Sequence, residues 1–210
     1  YIRAQIYAIQ SRHEEAEKLY LEALAGFEKL LGEDSSITHS SYRRLGDLYY
    51  EQERYEEAAR YVSRSLEGLE KQLGREHPEV AYCLLMMATI QAAQDRYQEA
   101  EPLFDEALAI IESTVGPENV DVADVLLYKS EALYKIGRGA EAEPLLDRAI
   151  ALHERAATAP GFRSEAYYYR ARIAWDADRK SEALADLREA MDLAEQQRGT
   201  SSGAERERAG

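Results

Sequence analysis

The groups in this 210-residue chain that could carry out chemistry are four histidines, one cysteine and an excess of carboxylates. His13, His39, His77 and His153 lie far apart, and none has a second His or a Cys at metal-ligand spacing on one helix face, which argues against a metal centre. His77, just before Pro78, reads as loop and cap chemistry, and His153 as a solvated or rim residue of its helix. Cys83 has no His near it in sequence and sits beside Leu84, so it reads as a buried thiol and not as a nucleophile. No glycine-rich phosphate loop occurs, and Gly137, Arg138 and Gly139 read as a turn between helices. Glu14, Glu15, Glu56, Glu57 and Glu141 stand where helices start, and there negative charge complements the macrodipole. The chain reads as a non-enzyme with no cofactor and no metal.

What positions these groups is a repeat. Ala16, Ala58, Ala100 and Ala142 follow one another at steps of 42, Ala183 follows at 41, and Gly32, Gly74 and Gly116 keep the step of 42. Within each step apolar residues recur at three and four positions twice over, the pattern of two amphipathic helices. In the third unit helix A starts near Pro78 and carries Val80, Leu84, Met87, Ala88 and Ile90. Asp95 and Arg96 interrupt it. Helix B runs from about Tyr97 to Val115, with Ala100, Leu103, Phe104, Ala107, Leu108 and Ile111 on one face, and Gly116 with Pro117 stops it. Pro102 and Pro144 fall in early turns, where a missing donor costs little. Units that cannot bury their apolar faces alone must stack, so the expected fold is an all-α solenoid of about five helix pairs.

The same register places the units at about 1–32, 33–74, 75–116, 117–157 and 158–198, as one domain. The first unit lacks residues matching His77 to Val80 and the chain starts with Tyr1, so the sequence reads as a segment of a longer protein. Gly199 to Gly210 has no apolar periodicity and reads as a disordered tail. A net charge of −14 would repel nucleic acid and anionic membranes. No run of about 18 apolar residues would span a bilayer, and no export signal is recognisable. A lone cysteine suits a reducing compartment, so the expected location is cytoplasmic.

The recurring alanines let two helix backbones approach, and Tyr20, Val62, Phe104, Leu146 and Leu187, four residues on, fill the space between helices. With this pattern the chain resembles the tetratricopeptide repeat. Its 42-residue step, with Ala100, Glu101, Pro102, Leu103 and with Gly74 through His77 and Pro78, is similar to the kinesin light chain form. The resemblance covers residues 1 to about 198 and implies a right-handed superhelix whose A helices line a concave groove.

Carried over by register, the groove positions are Tyr1, Ile2, Gln5 and Ile9, then Arg43, Arg44, Asp47, Tyr50 and Glu51. Tyr82, Leu85, Met86 and Thr89 follow in the third unit, and Asp124, Leu127, Tyr128, Glu131, Tyr134 and Lys135 in the fourth. The fifth gives Tyr168, Tyr169, Arg172, Trp175 and Asp176. Tyr42, Leu84, Leu126 and Tyr167 fall at the core-facing position, and Trp175 reads either as an exposed anchor or as filler in the last inter-helix gap.

Kinesin light chain grooves carry Asn pairs in helix A that hold a cargo peptide by its backbone. The matching positions here are Arg43 and Arg44, Leu85 and Met86, Leu127 and Tyr128, and Tyr168 and Tyr169, and none is Asn. A clamp that needs amides with both donor and acceptor is therefore not inherited. Lys129 and Arg170 stand where earlier units have Leu45 and Met87, which implies looser packing or a local rotation there. What remains is a greasy, tyrosine-rich groove for an apolar segment or an amphipathic helix. The expected function is a non-enzymatic protein-binding scaffold with a protein or peptide partner. The alternative is a self-association module stacking through solenoid ends into homo-oligomers.

Overall fold

The computed structural model describes residues 1–156 and 160–208, with side chains described as far as 198. Among the described residues there are ten α-helices and no strand. They are α1 (Ile2–Ile9), α2 (His13–Leu31), α3 (Ser36–Glu51), α4 (Tyr55–Leu73), α5 (Pro78–Ala93), α6 (Tyr97–Val115), α7 (Val120–Lys135), α8 (Gly139–Arg155), α9 (Pro160–Asp176) and α10 (Lys180–Arg208). Odd-numbered helices are the A helices and even-numbered ones the B helices.

Local chemistry sets these bounds. A side-chain acceptor opens three of the A helices: Ser35 Oγ accepts from the Ile37 N–H at 3.3 Å, His77 Nδ1 from Glu79 at 3.2 Å and Asn119 Oδ1 from Asp121 at 2.9 Å. His77 is thus the cap its sequence position implied. Between A and B the chain reverses through one left-handed residue at Ser11, Glu53, Asp95, Gly137 and Asp178, with φ of 55°, 58°, 59°, 79° and 58°. At four of these five turns the residue is not glycine, so the turn is held against a steric cost. Helices α2 and α4 end on Gly32 and Gly74, whose φ of 86° and 85° a side chain would oppose.

An arginine just before each B helix binds the glutamate three residues on. The pairs are Arg12–Glu15, Arg54–Glu57, Arg96–Glu99, Arg138–Glu141 and Arg179–Glu182. Glu15, Glu57 and Glu141, three of the carboxylates expected at helix starts, are thus paired within the chain. Each exposed pair contributes only a few tenths of a kcal/mol, roughly 0.3–0.5.

The chain forms two compact units, Tyr1–Ile110 and Ile111–Gly210, and the division falls within α6. In the first unit α1 packs on α2, α2 on α3, α3 on α4 and α4 on α5, and α3 also meets α5. The second unit has α7 on α8, α8 on α9, α9 on α10, and α7 on α9. Packing in chain order, with A helices also touching, is the contact pattern of stacked helix pairs. The fold is an all-α solenoid of about five such pairs.

The pairs close on small residues from both sides. Ala16, Ala58, Ala100, Ala142 and Ala183 are all fully buried. Opposite them the A helices carry Ala4, Gly46, Ala88, Ser130 and Ala171, also buried, in the same register. A Cβ on Gly46 would lie 2.5 Å from Val62 Cγ2 and 3.6 Å from the Ala58 carbonyl oxygen, and Ser130 Oγ lies 3.4 Å from the Ala142 carbonyl oxygen. Tyr20, Val62, Phe104 and Leu146 are buried one turn on, while Leu187 is half-buried. Cys83 is buried, 3.5 Å from Ser65 Oγ, and burial pushes its thiol pKa up. Tyr42, Leu84 and Leu126 are buried as their register requires, and Tyr167 is half-buried.

Two histidines are core residues. His39 on α3 is 2% exposed, and neither ring nitrogen has a hydrogen-bond partner among the described residues. It fits because α4 has Gly68 opposite: a Cβ there would lie 1.9 Å from His39 Cε1. At the same register the next pair has Ala81 and Ile110 and the one after has Ala123 and Leu152, all buried, so bulk moves from one helix to the other. His153 corrects the expectation of a solvated or rim residue. It is 1% exposed, stacks on Phe162 with ring centroids 5.4 Å apart and has Nε2 3.4 Å from Asp124 Oδ1. Its register mates, Leu69 and Ile111, are buried as well, and that was the signal in the sequence.

Residues 157–159 and 209–210 lie outside the described residues. The expected tail, 199–210, starts inside α10, whose backbone is helical to Arg208, and ends on two undescribed residues. We retain 198 as the proposed limit of the repeat. A chain ending at Arg198 is expected to match the full chain in denaturant unfolding to within about 0.5 kcal/mol, because the sequence from 199 to 210 has no apolar periodicity to bury.

Gly68→Ala should cost about 1–3 kcal/mol by overpacking the His39 ring. Combining His39→Ala with Gly68→Ile copies the next pair and should recover most of that loss in the same unfolding assay. Burial lowers the pKa of His39, and lowers that of His153 with help from the Arg163 charge. The folded chain then holds these rings neutral, while the unfolded chain takes up protons below about pH 6.5. Stability is thus kept above that pH and falls as pH drops through the depressed folded values. Burial raises Asp124 to about 6, which acts in the opposite sense between the unfolded carboxylate value and 6. Comparing His39→Ala with the parent removes such common contributions. The variant should lose less stability than the parent between about pH 7.5 and 5.5.

Candidate binding surface

Some of the residues assigned to a groove line one hollow in each unit, and others do not. In the first unit a hollow of about 700 Å³ is lined by Gln5 and Ile9 of α1, by Arg44, Asp47, Tyr50 and Glu51 of α3, and by Met86 of α5. Ala8, Tyr20 and Leu48 complete it and were not among the assigned residues. Arg44 reaches Asp47 at 3.4 Å, and His13 Nδ1 lies 3.9 Å from Glu51 on the rim. Burial lifts the carboxyl groups of Asp47 and Glu51 above their ordinary range, against the pull of the nearby cations.

Arg43, Tyr82, Leu85 and Thr89 lie outside the lining of this hollow. Arg43 is half-buried, 3.7 Å from Glu79 and stacked over Tyr82 at 6.0 Å. Leu85 and Met86 are both half-buried, and the Thr89 hydroxyl donates to the Leu85 carbonyl at 2.9 Å. Tyr1 packs edge-on against Tyr20 and Phe27, at 5.7 and 6.0 Å, and thereby belongs to its helix pair. Ile2 is 71% exposed.

In the second unit the helices are α7 and α9. Tyr134, Lys135, Arg172 and Asp176 line a hollow of about 530 Å³ together with Ile173, Glu143, Arg179 and the turn residues Gly137 and Gly139. Tyr134 and Tyr169 lie 6.2 Å apart by ring centroid, and Tyr168 meets Tyr169 edge-on at 5.4 Å. The Arg172 guanidinium sits over Tyr134 at 4.8 Å and over Tyr168 at 5.7 Å. Burial raises the Tyr169 hydroxyl pKa, and its hydrogen bond to Glu131 adds to the rise. Tyr128 and Glu131 are half-buried.

Trp175 is 51% exposed, so its ring is not filler in an inter-helix gap. Leu127, by contrast, is 1% exposed, in a core cluster with Leu133, Ala142, Leu146, Ile150, Ala166 and Ile173. It offers no surface to a partner, because α9 covers it with Ala166 and Ile173. Arg170, at the register of Leu45, is held by Asp186 through two bonds of 2.9 and 2.8 Å and by Asp147 at 2.7 Å. A charged side chain there is thus accommodated by carboxylates from both neighbouring B helices.

The Cys83 thiol lies in the core, and among the described residues no group of three or more His, Cys, Asp or Glu side chains could hold a metal ion. Among the described residues no helix is long and apolar enough to cross a membrane.

Comparison with known proteins agrees with this architecture. No curated protein matches the sequence. Solved structures do match in fold. BtubC (BKLC) from P. vanneervenii is 22% identical, with a TM-score of 0.79 over 93% of this chain and 78% of that one. A kinesin light chain-like protein of Podosopora anserina with nearly identical TPR-like repeats is 20% identical, with a TM-score of 0.71 over 91% of each chain. A Rap protein complexed with competence and sporulation factor is 17% identical, with a TM-score of 0.75 over 93% of this chain and 53% of that one. At such identities the likeness is one of fold. Family profiles for the tetratricopeptide repeat match residues 1–71, 38–113 and 80–155, and a second such profile matches 129–198. With nearly its whole length matched, the chain belongs to the tetratricopeptide repeat family.

Proposed function

We propose that the chain is a protein-binding scaffold that takes a peptide or an amphipathic helix on the faces of its A helices. The observation that carries this reading is the make-up of those faces. Tyr50, Tyr82, Met86, Tyr134, Tyr168, Arg172 and Trp175 are exposed or half-buried, and they are residue types enriched where proteins meet partners, with the apolar Leu85 half-buried beside Met86. Tyrosines supply contact area at low rotamer cost, and Met86 adapts its shape to the guest. The Rap protein, solved with competence and sporulation factor, supports the reading by showing a similar fold in a complex. The absence of Asn at the A-helix pairs directs recognition to guest side chains and away from the guest backbone. The lone Cys83 and the acidic charge accord with a cytoplasmic location and with protein partners.

Self-association is the second reading. Ile2, Ile6 and Ile9 favour it, since all three are exposed along α1. A mass that rises with concentration in sedimentation, and falls back in Ile2→Glu with Ile9→Glu, would support it over the scaffold.

Leu85→Asp with Met86→Asp puts two charges on the α5 face. A lost anchor costs about 2 kcal/mol or more, so partner binding in pull-downs from the native source should disappear while far-UV circular dichroism stays unchanged. A folded double mutant with an unaltered pull-down profile would remove α5 from the binding surface.

A further inference from the structure

Resting on self-association, the second reading above, we propose that α1 of one copy docks against α10 of another, so that unlike faces meet and apolar side chains close the contact.

Inside the chain α3 packs on α2, α5 on α4 and α9 on α8. At one register position these A helices carry Leu48, Ile90 and Ile173, all buried. The same position in α1 is Ile6, which is 47% exposed. The B helices under them carry Leu24, Leu66 and Ile150 at another position, buried or half-buried, and α10 has Met191 there, 64% exposed. In the α8–α9 contact the two positions share one core, Ile150 with Ile173. Helices α1 and α10 thus each carry one half of a joint that the chain elsewhere builds from both.

A second pair of positions flanks that joint. In the α8–α9 contact Glu143 and Asp176 line one hollow with Ile173, and Arg179 takes both Glu143 oxygens at 2.7 and 2.8 Å. The α2–α3 contact has Glu17 and Glu51 in the same places, with Arg54 reaching Glu17 at 2.8 Å. In the α4–α5 contact both are alanine, Ala59 and Ala93, so the two positions change together. At the two ends they are Leu184 on α10 and Ile9 on α1, both exposed. Arg12, the counterpart of Arg54 and Arg179, is paired with Glu15 on α2 at 2.6 Å. A partner built like the α2–α3 or α8–α9 contact would set a carboxylate beside Ile9 or beside Leu184, whereas a second copy sets these two against each other. A contact between unlike faces leaves one of each free, so assembly continues past two copies until a ring closes or a filament grows.

Sedimentation equilibrium of the 210-residue chain tests this. The mass should rise with concentration past that of a dimer, and should not fall in about 0.5 M sodium chloride, because apolar contact is not screened. Ile6→Glu and Met191→Glu should each weaken association about tenfold or more, with circular dichroism unchanged. Mixed one to one, they should form a dimer that grows no further, since each keeps the face the other has lost. Ile9→Glu gives α1 the residue that α3 has at that register, and it should act like Ile6→Glu even if the latter disturbs folding. Association lost in only one of the α1 and α10 variants would set like faces together, which overturns the docking of α1 on α10 and leaves self-association standing. Variants that stay monomeric when mixed, or a parent that dissociates in salt, would overturn it too. A strict monomer up to about 1 mM would overturn both the proposal and the second reading, with the scaffold reading untouched.

Discussion

Each helix pair is closed by two small side chains facing each other, and the positions of all other groups follow from how near that lets the backbones come. Gly46 has Val62 and the Ala58 carbonyl above it, and the Ser130 hydroxyl lies against the Ala142 carbonyl. Packed helices sit roughly 8–10 Å apart according to the side chains at the contact, and small residues select the near end of that range. Close approach has a cost in apolar area, because alanine buries little. The larger Tyr20, Val62, Phe104 and Leu146 one turn on restore it, and they fill the gap only at the spacing the small pair sets. The A helices then present one face to the core and leave another for solvent.

Within this frame the pairs differ in how they divide volume. His39 with Gly68, Ala81 with Ile110 and Ala123 with Leu152 hold one register, with the bulk on the A helix in the first and on the B helix in the other two. Giving position 39 the alanine of its counterpart leaves a cavity, and giving position 68 the isoleucine of its counterpart makes a collision. A repeat of this kind is therefore not a set of interchangeable modules. The buried, unpartnered imidazole of His39 is the most demanding of these solutions, since desolvation of its polar nitrogens is offset only by packing.

Much of this was legible in the sequence. Steps of 42 with apolar periodicity gave the helix bounds almost to the residue, as α5 at Pro78–Ala93 and α6 at Tyr97–Val115 show. The cap at His77 was equally readable, because one side-chain acceptor and one N–H decide it. Leu127, expected on an open face, lies in the core for a physical reason. Positions 43, 85, 127 and 168 are equivalent in register, yet Arg43 and Leu85 are half-buried, Leu127 is in the core and Tyr168 is exposed. Adjacent residues on a helix point about 100° apart, so a small rotation moves a position from the open face to the covered one. Which way it turns depends on the next A helix, here Ala166 and Ile173 on α9, and not on the local pattern. For His153 the fault lay in residue type: a polar name outweighed a register that Leu69 and Ile111 had already marked as core.

The same logic bears on what such a surface can recognise. With amides absent from the A-helix pairs, little in these faces can read a guest backbone by paired donors and acceptors. Selectivity must come from side chains that fit hollows, and from charge at short range. Long-range steering would work against an acidic guest, because a net charge of −14 repels it until it lies within about 8–10 Å, the screening distance at ordinary salt. Ordering of side chains before any guest arrives lowers the cost of binding, and the two tyrosines against Arg172, at 4.8 and 5.7 Å from its guanidinium, hold that side chain in one place.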